Sequence, residues 1–276
     1  MIDRTRNLAR PVALVLLAWA VFAGRPAIFR ARQRIGQWAI EYSTKAVNVV
    51  KVEDLNAYQV SVTVRNVSGR PISSLGLYIG TEAKYHEPVA LKSEATETVV
   101  IGKPQTRRNW VIRVAAVLFG DGPAAADGDP EDIEYMRFER LGEAIESARC
   151  VSIFSALDPA HLDDNRVNAA IASVSRQPVW PLEKALAGFP DSPLKAKLQG
   201  ASDGAKEAFI GGVDMYWGRC QNSLQRLRQP PNGSPGSVES DRIRYLSEAL
   251  PQHQATANEY QTLSDVDMGV AIGSRY

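Results

Sequence analysis

Residues 58–80 read YQVSVTVRNVSGRPISSLGLYIG. Tyr58, Val60, Val62 and Val64 alternate with Gln59, Ser61, Thr63 and Arg65, and a period of two puts the first set on one face of an extended chain. The valines are expected to point into a core. Ser68-Gly69-Arg70-Pro71 is turn chemistry, because glycine accepts positive φ and proline fixes φ ahead of the next strand. ISSLGLYIG then resumes extended structure.

The same grammar holds on both sides. WAIEYSTKAVNVVKVED (residues 38–54) carries alternating and β-branched residues, and EPVALKSEATETVVIG (87–102) and NWVIRVAAVLFGDG (109–122) add further strands. The last is an apolar run suited to a strand covered on both faces or lying at a sheet centre. Short strands at regular spacing with turn signals predict an antiparallel immunoglobulin-like β-sandwich over residues 35–122. The cysteine and tryptophan hallmarks of antibody domains are missing from this stretch, so the expectation stops at immunoglobulin-like.

Beyond residue 122 the period changes. Residues 123–129 form a small acidic linker, and Asp129-Pro130-Glu131-Asp132 is a helix start: a capping carboxylate, a proline where no amide donor is needed, and acids at the positive end of the dipole. Ile133, Met136, Leu141, Ala144, Ile145 and Ala148 recur at helical steps. An α-helical domain is expected over 130–265, with helices near 130–157, 160–175, 194–228 (with a break at 200–204) and 241–265. A short helical turn is expected at 182–186, a flexible linker at 229–239 and a tail at 266–276. The predicted class is α+β multidomain.

The N-terminus carries Arg4, Arg6 and Arg10 ahead of PVALVLLAWAVFAG, the layout of an export signal. Two readings of residues 1–24 stand. Small residues favour cleavage near Ala23; Arg25, Arg30, Arg32 and Arg34 behind the apolar run favour an uncleaved anchor reaching Phe29. Either places the bulk of the chain outside the cytoplasm, periplasmic or extracellular, with membrane contact only through that segment. Cys150 and Cys220 are the two cysteines; in an oxidising compartment they are expected to pair, the alternative being two buried thiols.

With 32 basic against 31 acidic residues, the chain has no electrostatic footprint for nucleic acid. His86, His161 and His253 lie in three separate contexts without zinc-site spacing. No strand-to-helix serine elbow or phosphate-cradling glycine loop is present, and Gly211-Gly212 in helical text suits close helix packing or a kink. The acids of the linker do not fit a calcium-loop register. No catalytic, cofactor-binding or metal-binding residue is therefore expected. Tyr78, Tyr85 and Trp110 are candidates for a ligand surface near the sandwich loops, against the competing reading of core packing. Asn66-Val67-Ser68 and Asn232-Gly233-Ser234 match a glycosylation acceptor pattern, relevant only to a eukaryotic secretory route.

VTVRNVSGRPISSLGLYIG and IRVAAVLFGDGPAAADGDPEDIEYMRFERLGEAIESA resemble a group of uncharacterised exported bacterial proteins, many from acidobacteria, that carry an immunoglobulin-like strand domain followed by helices. The resemblance spans residues 58–148 and implies architecture without catalytic residues. The first segment is also faintly similar to FxLYD-type domains, although GLYIG lacks that motif's aspartate.

The function expected from these features is that of an exported, non-enzymatic protein working through contact with a protein partner at the cell envelope. The alternatives are an envelope hydrolase with a site between the domains, and a carbohydrate- or peptide-binding module.

Overall fold

A computed structural model of the chain describes residues 31–80, 83–103, 111–120, 125–159, 162–174, 193–228 and 238–264. Its first half holds strands β1 (Ala31–Ile35), β2 (Trp38–Tyr42), β3 (Val47–Asp54), β4 (Gln59–Asn66), β5 (Ile72–Ile79), β6 (Ala83–Leu91), β7 (Thr96–Gly102), β8 (Val111–Phe119) and β9 (Ala126–Gly128). Helices α1 (Pro130–Ser155), α2 (Asp164–Val174), α3 (Pro193–Gly200), α4 (Asp203–Arg228) and α5 (Val238–Ser264) follow. The fold is thus mixed, with strands in sheets first and helices on the C-terminal side.

The strands form two sheets. One runs β1-β2-β8-β5-β6 with β9 paired to β8, and the other runs β3-β4-β7. Every pairing is antiparallel except that of β2 with β8, which is parallel. A single buried cluster draws on both sheets: Val60, Val62 and Val64 of β4 meet Leu75, Leu77 and Ile79 of β5 there. The alternation read from the opening stretch holds for the three valines, which are fully buried, and for Gln59 and Arg65, which are exposed; it fails at Tyr58, which precedes β4 and is 67% exposed, and at Ser61, which is buried in the central strand of its sheet.

The turn between β4 and β5 rests on more than Gly69, whose φ of 74° suits glycine. Asn66 is 0% exposed. Its Nδ2 donates to the carbonyls of Arg70, Leu91 and Lys92, and its Oδ1 accepts from the backbone amide and hydroxyl of Ser68. One amide side chain thus binds the turn to the end of β6, adding a donor to three carbonyls that lie on both sides of it.

β8 is covered on both faces. Val114, Val117 and Phe119 enter the shared core, while Ala116 and Leu118 pack against Met136 and Ile133 of α1. Among the described residues strand structure reaches back to Ala31, earlier than residue 35, in the outer strand of the β1–β2 hairpin. Residues 126–128 of the expected linker form β9, where Gly128 lies so near Ala115 that a β-carbon would collide with its carbonyl oxygen. Helix α5 starts at Val238, inside the expected 229–239 linker. The expected segments 1–24, 182–186 and 266–276 lie outside the described residues.

Candidate functional site

Asp129 caps α1 by accepting the Glu131 amide, with Pro130 in the first turn. That start holds the helix against the sheet. One turn in, the buried Asp132 carboxylate accepts from Arg113 Nη2 of β8 at 2.7 Å, and the guanidinium lies 4.6 Å from the centre of the Tyr78 ring. Burial pushes the Asp132 carboxyl up to about 6; desolvation outweighs the attraction of the guanidinium beside it.

Further along α1 a groove of about 510 Å³ opens between the helix and the sheet end. Pro71, Ile72, Val89 and Ala90 give it apolar walls, and Lys92 and Arg140 bring positive charge to it. Beside it, Arg70 stacks 4.3 Å from the centre of the Phe119 ring. Among the described residues no acidic side chain lines the groove.

Arg140 leads inward from the groove. Its Nη1 donates to Glu143 Oε2 at 2.5 Å, and Arg219 Nη1 of α4 stands 3.6 Å from Glu143 Oε1. Glu143 is 1% exposed, so two guanidiniums compensate one buried carboxylate and leave the trio with a net positive charge. Arg219 reaches toward the Tyr216 ring, whose hydroxyl is 2.7 Å from His253 Nδ1 of α5. His253 Nε2 is buried with no partner among the described residues, and burial lowers the pKa of the ring. Phe154 covers it at 4.9 Å between ring centres.

The helices meet closely around this line of charge. Gly142 of α1 and Gly212 of α4 each lie against the other helix's backbone. Cys150 and Cys220 sit on the same pair of helices at disulfide distance, with Cα atoms 5.9 Å apart. At the far end Arg242 donates to the carbonyls of Leu227 and Leu162 and pairs with Asp164, joining the end of α4 to the start of α2.

Chemically, this arrangement orients and compensates charge. Ser73 in the groove donates its hydroxyl to the Leu118 carbonyl, and the Tyr216–His253 pair is enclosed within the helices. Among the described residues no group of three or more histidine, cysteine or acidic side chains is placed to hold a metal, and no helix is long and apolar enough to cross a membrane.

Of the candidate ligand surface, Tyr78 is 7% exposed beneath Arg113, while the Tyr85 side chain and Trp110 lie outside the described residues. The His86 side chain, His161 and Asn232 do so too. Asn66, read as an acceptor motif, is instead the buried post of the β4–β5 turn. Asn66, Arg113, Glu143 and Arg242 carried no distinguishing signal in the sequence beyond an asparagine next to a turn.

No family model matches the chain, no curated protein is significantly similar to it, and no solved structure matches it significantly.

Proposed function

We propose that the chain is an exported, non-enzymatic protein that works through contact with a protein partner at the cell envelope. The observation that carries this reading is the outer face of the β3-β4-β7 sheet. Val50 and Val100 stand 48% and 49% exposed there, with the Thr63–Thr98 hydroxyl pair on the same sheet, and the β3–β4 hairpin tip adds Leu55 and Tyr58, the latter 67% exposed. Apolar side chains exposed on one sheet and its hairpin tip favour association.

We further propose that the two sheets form an immunoglobulin-like sandwich. In that fold strand B pairs with E and strand C with F; the pairings β4–β7 and β5–β8 around one shared core support it. β6 then takes the place of C′ beside C, and β2 lies along β8 on the side away from β5. Export is supported by the arginine-flanked apolar N-terminus and by the cysteine pair at disulfide distance.

Site-specific photo-cross-linking in intact cells tests the contact. A cross-linker at Tyr58 or Val100 is expected to capture one discrete protein, and one at the exposed Gln254 of α5 is expected to capture none. Failure of both sheet positions, or the same adduct from all three, would sink the reading.

A further inference from the structure

We propose that the groove between β5, β6 and α1 binds a small organic anion, a carboxylate carrying a short apolar body. Its volume of about 510 Å³ lies in the range of small-ligand sites, which are concave, largely apolar and supplied with a few polar groups that fix orientation. Pro71, Ile72, Val89 and Ala90 suit the body. Lys92, from the strand half, and Arg140, from the helical half, suit the head, since a point charge and a planar fork from opposite walls define where a carboxylate sits.

The charge at the groove is built in from behind. Arg140 is held by the buried Glu143, which Arg219 also faces, and Lys92 is exposed at the rim. Asn66 fixes that rim, because it binds the carbonyls of Leu91 and Lys92 together with that of Arg70. The site is thus held by the same turn that joins β4 to β5. It is separate from the outer face of the β3-β4-β7 sheet, and the two can fail independently.

Titration calorimetry of the full chain with octanoate, octanol and acetate tests this. Octanoate is expected to saturate one site, with octanol, which lacks the charge, and acetate, which lacks the body, each at least about tenfold weaker. Lys92→Glu and Ala90→Glu are expected to weaken octanoate about tenfold or more with an unchanged melting temperature, since both positions are exposed. Absence of saturable octanoate binding, octanol binding as tight as octanoate, or octanoate affinity unchanged in both variants would overturn the proposal.

Discussion

Gly142 and Gly212 face the backbone of one another's helix: a β-carbon on Gly142 would collide with the Phe209 carbonyl oxygen, and one on Gly212 with the carbonyl oxygen of Glu139. The α1–α4 crossing is therefore set by backbone contact, and the pair acts as the axle of the helical half. Close approach also brings Arg219 within reach of Glu143, so the buried charge depends on two missing side chains.

Alanine at either position is expected to destabilise the protein by about 2 kcal/mol or more, because the added methyl must push two packed helices apart. Gly211 has nothing within 4 Å of its would-be β-carbon, so Gly211→Ala is expected to be neutral or to stabilise by up to about 1 kcal/mol through helix propensity. Urea unfolding of the three variants checks this. Equal effects at positions 211 and 212 would contradict the backbone-contact account.

Asn66 makes a second, independent case. Asn66→Asp keeps the size but turns an amide that donates to three carbonyls into an oxygen facing them. The expected loss is about 3 kcal/mol, in the range for leaving buried polar groups unpaired. Asn56, in the exposed β3–β4 turn, donates to Gln59; Asn56→Asp is expected to stay within about 0.5 kcal/mol of the parent. Thermal melts of the two variants separate the roles.

These residues also mark what was legible beforehand. The alternation of Val60, Val62 and Val64, the doubly covered run at 111–119, the Asp129 cap and close packing near Gly212 were readable, because each is a local pattern whose physics acts within a few residues. The parallel pairing of β2 with β8 was not, since register between strands about 70 residues apart leaves no local period. Nor were Arg113–Asp132, Glu143 with Arg219, or Arg242 with Asp164: a buried charge looks like a solvated one until its distant partner is known. Tyr78 was open to two readings, and only the register opposite Arg113 shows what covers it. The groove joins Pro71, Val89 and Arg140 across three elements, so no sequence window contains it.

The cysteine pair yields a third prediction. Cys150 and Cys220 are separated by 70 positions, and in the chain-entropy model a cross-link closing such a loop contributes about 4 kcal/mol. Replacing both with alanine is expected to lower unfolding stability by about that amount, and Gly142→Ala is expected to be more damaging in that background. Non-reducing mass spectrometry of the purified protein checks the premise; two free thiols there would remove it.

Titration of Asp132 gives the last. Burial raises its pKa from 3.8 to about 6, so the folded protein holds this proton more tightly than the unfolded chain. Its contribution to stability is fully present below 3.8 and is lost as pH rises through about 6, by at most about 3 kcal/mol. His253 has the opposite sign: burial lowers its pKa from 6.5, so its contribution is present above 6.5 and is lost as pH falls below that value. Asp132→Asn is therefore expected to gain stability over the parent progressively between about pH 4 and about pH 7, and His253→Gln to gain on it as pH falls from about 7. Urea midpoints across that range check both, and parallel curves for Asp132→Asn and the parent would show that Arg113 keeps the carboxylate ionised despite its burial.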